Sequence, residues 1–424
     1  MKVLLIYPRW RRGLWSMMIY RMPPLGLYHL ASLTPDEVEV EIIDENITAL
    51  DYPPADLVGI SCMTPGAPRA YQIADRYRSL GVKVVLGGIH PSTLPDEAAQ
   101  HADSVVVGEA DEVWGSLLRD FQRNQLQPRY VAPQRPSLSN GSRRRSPLVD
   151  RNRYIIKNFL QTGRGCPVDC NFCSVTAFNG AQMRYRSMDE VIREIAARRS
   201  LSRYFLFADD NIVGNTVHAK QFFEAITPLD IRWGSQVTIK MGMDDSLLKP
   251  AVRSGCRTVL IGFESIDQHI LDLCEKKFKV EKYETAIKRL HDHGVFIIGS
   301  FIFGFDSDTP DVVKRTLDFA LRNNIDMCQF TLLTPFPDTR LYPKYLREGR
   351  ITSFDWSKYD AFHAVFKPIR MTQEELQHSV NQAYKEYFAF SPTIKRLRET
   401  LMSGNWKAAL LGAKTSWDSY HFDI

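Results

Sequence analysis

The stretch Arg164-Gly165-Cys166-Pro167-Val168-Asp169-Cys170-Asn171-Phe172-Cys173 holds three of the chain's seven cysteines. Three thiolates in so short a loop can bind three irons of a cubane cluster and leave the fourth iron open to an external ligand. A structural zinc site usually takes four protein ligands in paired Cys-x-x-Cys halves, and no second half stands near enough here to be convincing. Zinc and an accidental grouping are the competing readings. The remaining cysteines, Cys62, Cys256, Cys274 and Cys328, are scattered among apolar neighbours, where cysteine acts as a small buried hydrophobe. An odd count in a long chain argues for reduced thiols. The opening Val3-Leu4-Leu5-Ile6-Tyr7 stops at Pro8, too short for a signal-peptide core, so the expected location is the cytoplasm.

Outward from the loop, strand signals recur at Asn158–Thr162, Tyr204–Ala208, Arg232–Val237, Thr258–Phe263, Val295–Phe301 and Cys328–Leu332. Helical stretches such as Asp189–Ser200 and Val280–His293 separate most of them, the order of a parallel (β/α) barrel or part of one. Beyond Leu341 the chain is mixed and then helical, with a helix over Thr372–Ala389 beginning at a Thr-Gln-Glu-Glu cap. Toward the N-terminus, Val3–Tyr7, Val38–Ile43, Leu57–Ser61, Val82–Leu86 and Ser104–Val107 alternate with helix-like Leu25–Leu33, Ala67–Leu80 and Pro95–Gln100. Repeated strand-helix order implies a doubly wound α/β domain with a parallel sheet covered on both faces. Pro133–Pro147 has linker composition; its Arg143-Arg144-Arg145 is a solvated charge run or a phosphate contact. The expected division is a Rossmann-like domain over 1–132, a linker over 133–152, a partial (β/α)6 barrel over 153–340 and a mostly helical region over 341–424.

Composition narrows the functional classes. Hydrophobic residues at 44% and charged residues at 24% are ordinary globular values and exclude a disordered or collagen-like chain. No apolar run reaches the roughly 18 residues of a membrane span. A net charge of +5 tolerates an anionic substrate and does not imply nucleic acid.

Cys166, Cys170, Phe172 and Cys173 match the signature Cys-x-x-x-Cys-x-aromatic-Cys, and in this the chain resembles the radical S-adenosylmethionine (SAM) enzymes. The resemblance implies a 4Fe-4S cluster that binds SAM through its amino and carboxylate groups. One-electron reduction, from a donor such as flavodoxin or ferredoxin, then gives a 5′-deoxyadenosyl radical. It also implies SAM contacts at Phe172, at Asp209 and Asp210 in Phe207-Ala208-Asp209-Asp210-Asn211, and at Gln236 and Lys240, which are otherwise ordinary rim residues. Glu264 in Ile261-Gly262-Phe263-Glu264-Ser265 is expected at the barrel mouth with a polar ligand or a basic partner, because a buried unpaired Glu is costly. Gly304 in Gly299-Ser300-Phe301-Ile302-Phe303-Gly304-Phe305-Asp306 falls on the strand that the family places near adenine, or serves packing alone. Leu333-Thr334-Pro335-Phe336-Pro337-Asp338-Thr339 resembles the closing motif of the same subgroup.

The N-terminal part resembles the cobalamin-binding domain that precedes the barrel in one large subgroup, through Pro23-Pro24-Leu25-Gly26, Gly87-Gly88-Ile89-His90-Pro91 and Val107-Gly108-Glu109-Ala110-Asp111. The implied cobalamin contacts are Cys62, Met63, Thr64, Gly87, Gly88, Ile89, His90, Pro91, Gly108 and Glu109, at strand ends where such sheets bind ligands. The Asp-x-His-x-x-Gly motif that supplies a cobalt-ligating histidine in many cobalamin proteins is absent; the loop after the first strand runs Pro8-Arg9-Trp10-Arg11-Arg12-Gly13-Leu14-Trp15. His90 is therefore expected to act through its backbone, and Trp10 and Trp15 either cover a ligand or anchor packing. In the tail, Tyr359 and His363 either exchange a proton in the pocket or serve structure.

The resemblance points to cobalamin-dependent methylation of an unactivated carbon in a small-molecule, lipid or tetrapyrrole substrate. A radical cyclase, coupling enzyme or oxidase whose cobalamin-type domain lacks the cofactor is the alternative; a non-catalytic sensor is a third reading. Ala in place of Cys166, Cys170 or Cys173 is expected to abolish the cluster and SAM cleavage, while substitution of Cys62, Cys256, Cys274 or Cys328 spares both. Iron and sulfide analysis of reconstituted variants checks this.

Overall fold

Val3, Leu4, Leu5 and Ile6 are all shut off from water, which a strand achieves in the middle of a sheet covered on both faces. In the computed structural model, which describes residues 1–10, 22–138, 154–394 and 396, these residues form β1 (Lys2–Tyr7). It lies between β2 (Glu39–Asp44) and β3 (Leu57–Ser61). β4 (Lys83–Gly87), β5 (Ser104–Val107) and β6 (Arg129–Val131) complete a parallel sheet of order β2-β1-β3-β4-β5-β6. Strand order reverses between β1 and β3, so a crevice is expected at the carboxyl ends there. On one face Leu4, Ile6, Val58 and Ile60 pack with Ala70, Ile73 and Tyr77 of the helix Ala67–Ser79. On the other, Val3, Leu5 and Leu57 pack with Leu27, Trp114 and Leu117, and the Trp114 indole donates to Thr34 Oγ1 at 2.9 Å. β6 and the helix Trp114–Gln122 have no counterpart among the sequence signals. A three-residue edge strand that buries only Tyr130 leaves almost no period to detect.

The chain clusters into two units. The first takes Met1–Lys157, Phe336–Asp338 and Phe354–Asp360; the second takes Asn158–Pro335, Thr339–Ser353 and the chain from Ala361. The second unit is built on six parallel strands: β7 (Asn158–Leu160), β10 (Tyr204–Phe207), β11 (Arg232–Val237), β12 (Cys256–Glu264), β13 (Phe296–Phe303) and β14 (Met327–Leu332). They neighbour one another in chain order, the topology of a six-strand partial barrel. Val259, Ile261 and Phe263 of β12 and Ile297, Phe301 and Phe303 of β13 are buried. Phe263 and Phe301 meet Tyr283 and Phe319 of the covering helices. The alternate residues Leu260, Gly262 and Glu264, and Ile298, Ser300 and Ile302, are partly exposed on the opposite face.

The helix expected in the tail is Gln373–Tyr387. Thr372 caps it, and Glu375 returns a bond to the Thr372 backbone, closing a capping box. Its Tyr384 and Tyr387 pack edge-on to Phe330 of β14, with centroids 5.5 and 5.6 Å away, and the Tyr384 hydroxyl accepts from the Phe330 amide at 2.9 Å. This helix therefore belongs to the second unit, which also takes Thr339–Ser353, whereas Phe354–Asp360 falls in the first. No helix among the described residues is long and apolar enough to cross a membrane. Arg143-Arg144-Arg145, most of the linker, and Trp15 lie outside the described residues.

Candidate functional site

Past the end of β7 the chain forms β8 (Gly163–Arg164), which pairs antiparallel with β9 (Arg184–Tyr185) and so clips the base of the cysteine loop. At Gly165, φ is +99° and a Cβ would stand 2.3 Å from the Gln182 carbonyl, so glycine is required. The Cys166 amide donates to Gly180 O at 3.2 Å, and the Cys173 amide donates to Cys170 O at 3.1 Å. Cys166, Cys170 and Cys173 are half-buried and free, whereas Cys62, Cys256, Cys274 and Cys328 are buried. Burial pushes the Cys166 thiol up and that of Cys170 to about 12, with neighbouring thiolates of the trio adding to both. Three anions this close repel unless cations stand among them, and iron supplies those cations as it displaces the protons. Among the described residues no three Cys, His, Asp or Glu side chains converge on a single-ion position; a polynuclear cluster, with one iron per thiolate, does not require that. The donor set fits the cluster.

Asp209 and Asp210, for which SAM contacts are expected, bond to the chain on either side of the cysteine loop. Asp209 is wholly buried and accepts from the Thr162 amide at 3.0 Å and the Thr162 hydroxyl at 2.6 Å. Asp210 accepts from the Gly165 amide at 3.0 Å and from Asn179 Nδ2 at 3.1 Å. Both carboxylates thus brace the frame of the cysteine loop. Strand-end position is readable in sequence; the rotation that turns a side chain inward is not. Burial raises both carboxyls, Asp209 to about 7. Next in the chain, Asn211 Nδ2 lies 3.8 Å from Cys166 Sγ.

Glu264 has the basic partner that electrostatics demands. Lys276 Nζ stands 2.6 Å from Glu264 Oε1 and 2.5 Å from Gly262 O, with the two side chains only 6% and 12% exposed. Lys276 was not singled out in the sequence, where it sits in an unremarkable polar run, Glu275-Lys276-Lys277. The turn carrying it is fastened to the cysteine loop: Asn171 Nδ2 donates to Leu273 O at 3.1 Å, and Arg340 donates to both Asp169 O at 2.5 Å and Glu275 Oε2 at 3.1 Å. Phe172 packs edge-on to Phe305 at 5.9 Å. Gly304 has φ +105°, and a Cβ there would strike Phe366 at 2.8 Å, so packing accounts for this glycine. Gln236 is exposed on β11, and Lys240 is exposed at the start of the turn Lys240–Met243. Gly262, Ser300 and Gln329 align across β12, β13 and β14 on the partly exposed face; no signal in the sequence singles out Gln329.

In the first unit the ends of β3, β4 and β5 are bound together. The Cys62 amide donates to Gly87 O at 3.1 Å and the His90 amide to Cys62 O at 3.3 Å. Ser92 Oγ donates to Gly88 O at 2.7 Å and accepts from the Gly108 amide at 2.9 Å. A Cβ on Gly88 (φ +96°) would lie 2.8 Å from Cys62 O. Met63 is exposed and Gly87, Gly88, Ile89 and Gly108 are partly so, while Cys62, Thr64, His90, Pro91 and Glu109 are buried. The result is a surface of backbone and small residues, which fits a broad flat ligand such as a corrin. The His90 ring is buried, with Nε2 3.1 Å from the Tyr71 hydroxyl and 3.3 Å from Glu97 Oε1, and burial holds its pKa low. Trp10 is half-buried. Tyr359 is buried in the first unit, 4.9 Å from the Trp356 ring, and His363 belongs to the second.

These two sites define a class, and comparison with known proteins agrees with it. Residues 160–320 match the Radical SAM superfamily and residues 18–118 the B12 binding domain. Bacteriochlorophyllide d C-12(1)-methyltransferase of Chlorobaculum tepidum is 32% identical over 90% of this chain and 86% of its own length. The C-8(2)-methyltransferase of the same organism is 33% identical over 87% of each. The structure of the radical SAM methyltransferase TsrM from Kitasatospora setae, with cobalamin and a 4Fe-4S cluster bound, superposes with a TM-score of 0.68 at 18% identity, covering 89% of this chain and 84% of that one. The chain belongs to the radical SAM enzymes that carry an N-terminal B12-binding domain.

Two measurements probe the frame. Lys276→Met strands the Glu264 carboxylate and is expected to cost about 3–5 kcal/mol, most of which the added Glu264→Gln restores; denaturant unfolding of the single and double variants reads the difference. Asp209 holds its proton to about pH 7 in the folded chain, against an ordinary value of 3.8. Its stabilisation is complete below the unfolded value and lost as pH rises through the folded one. Relative to wild type, Asp209→Asn is expected to gain stability steadily across that window and to gain no more above it, as thermal unfolding against pH will show.

Proposed function

We propose that this enzyme methylates an unactivated carbon of a planar, largely apolar small molecule, of the tetrapyrrole kind named in its relatives. The observation that carries the reading is the presence in one chain of a three-thiol loop and a Gly-rich, strand-end surface suited to a corrin. Relatives named as C-methyltransferases, similar over nearly the whole chain, support it. When bound, the cluster with SAM supplies a 5′-deoxyadenosyl radical, and cobalamin supplies a transferable methyl group.

The chain's own residues hold and orient. Cys166, Cys170 and Cys173 anchor the cluster, and Asp209 and Asp210 fix the ends of their loop through Thr162 and Gly165. Gln236, Lys240 and the Glu264–Lys276 pair offer polar contacts to SAM from the strand ends. Leu260, Ile298 and Ile302, on the partly exposed face of the sheet, give an apolar lining that keeps water from the reacting carbon. Met63, Gly87, Gly88, Ile89 and Gly108 would form the contact surface for cobalamin, beside the His90 backbone, whose ring is turned to Tyr71 and Glu97. Electrons come from a flavodoxin or ferredoxin in the cytoplasm.

Anaerobically purified protein with reductant, bacteriochlorophyllide d and SAM labelled with a trideuteromethyl group tests the reading. The expected products are the labelled methylated substrate with equal amounts of 5′-deoxyadenosine and S-adenosylhomocysteine. Substrate turnover that yields 5′-deoxyadenosine without S-adenosylhomocysteine would assign the enzyme to non-methylating radical chemistry.

A further inference from the structure

Glu97, on the short helix Pro95–Ala98, collects three donors. Tyr71 Oη stands 2.9 Å from its Oε1 and His90 Nε2 3.3 Å from the same atom. The third donor is the Trp356 indole, 2.9 Å from Oε1 and 3.2 Å from Oε2. Tyr71 and His90 are neighbours of Glu97 in the sheet domain, but Trp356 lies 259 residues further along the chain. It is part of Phe354–Asp360, which belongs to the first unit, and its turn Trp356–Lys358 packs beside the turn Thr64–Gly66 at the end of β3. Asp355 preforms that turn by accepting from the Ser357 amide and hydroxyl at 3.1 and 2.6 Å.

The ring contacts reinforce the hydrogen bonds. Trp356 stands edge-on to His90 with centroids 5.4 Å apart, and edge-on to the buried Tyr359 at 4.9 Å. His90 Nδ1 is buried and has no hydrogen-bond partner among the described residues. The ring is therefore held by polar contacts at Nε2 alone, and the Glu97 carboxylate provides one of the two. The backbone of the same residue donates to Cys62 O, whose own amide donates to Gly87 O. Gly88 presses against that carbonyl so closely that no side chain fits between them. The orientation of the His90 ring and the placing of the loops after β3 and β4 are consequently one mechanical set.

We propose that Trp356 is a positioning residue of the cobalamin site: by donating to Glu97 it aims the carboxylate at His90 and so holds Cys62–Gly66 and Gly87–Pro91 in the shape that receives the corrin. The inference rests on the reading that the first unit binds cobalamin. The indole does not touch the ligand. Its contribution is to remove the freedom the loops would otherwise lose on binding.

The test uses the full chain, loaded with iron and sulfide, and titrates hydroxocobalamin into wild type, Trp356→Phe, Glu97→Leu and Glu97→Gln. Trp356→Phe keeps an aromatic ring and deletes the donor; it is expected to bind cobalamin about tenfold more weakly, as is Glu97→Leu, the loss of a hydrogen bond to a charged group. Glu97→Gln keeps an acceptor oxygen and is expected to stay within about twofold of wild type. Iron content and SAM affinity, properties of the second unit, remain at wild-type levels in all three. Wild-type cobalamin affinity in Trp356→Phe overturns this inference alone, and so does a loss of iron parallel to the loss of cobalamin, which marks a general folding defect. Failure of the wild-type protein to take up cobalamin overturns the cofactor reading and this inference together.

Discussion

A buried carboxylate bonded twice to one threonine supports the reactive end of this molecule. Asp209 takes both the amide and the hydroxyl of Thr162, and Asp210 beside it takes the Gly165 amide at the entry to the cysteine loop. Between these two anchors the chain is clipped into a ribbon with Arg184–Tyr185. The geometry of a loop that must present three sulfurs to an inorganic cube is thus fixed in part from the adjoining strand. The energetic balance is close: burial opposes charge on Asp209 strongly enough to raise it to about 7, and the two Thr162 bonds oppose that rise. The other side of the loop is held by Arg340, which bridges Asp169 and Glu275, two non-glycine residues in left-handed backbone conformation with φ of +56° and +61°. Strain of that kind persists where surrounding contacts over-determine it.

Much of this architecture is legible in the amino-acid order because it depends on short-range periodicity. Leu57–Ser61 and Arg232–Val237 are strands with the same limits in sequence and structure, since apolar runs bounded by turn residues carry their own ends. The cysteine spacing is local too, and it identifies the loop by itself. What escapes is anything set by rotation or by long-range pairing. Asp209 is visible as the residue after a strand, and nothing nearby tells whether it turns toward a ligand or toward Thr162. Glu264 called for a counter-charge on physical grounds, and several lysines lay within reach along the chain. Only the fold selects Lys276, by bringing the turn after Leu273 onto Asn171.

The two sheets divide their work by the use each makes of glycine and of partial exposure. In the first unit Gly88 and the backbone of Cys62 and Gly87 make a surface of main-chain atoms with few side chains projecting from it. In the second, the face turned away from the helices alternates Leu260, Ile298 and Ile302 with Gly262, Ser300 and Gln329. Such a lining is mostly apolar with a few polar points, the composition of a small-molecule site. Gly304 makes no such surface; it yields room to Phe366 and Leu376 of the tail, so one residue type bares main-chain atoms in one place and serves tertiary packing in another.

The return of Phe354–Asp360 to the first unit bears on how such proteins are inherited and rebuilt. A sheet domain whose polar network is closed by a tryptophan encoded after the barrel is not delimited by the stretch that carries its strands. Excising residues 1–157, or fusing them to a foreign barrel, would leave Glu97 facing water where the indole now lies. Moving this sheet domain with its polar network intact therefore means moving Phe354–Asp360 along with it.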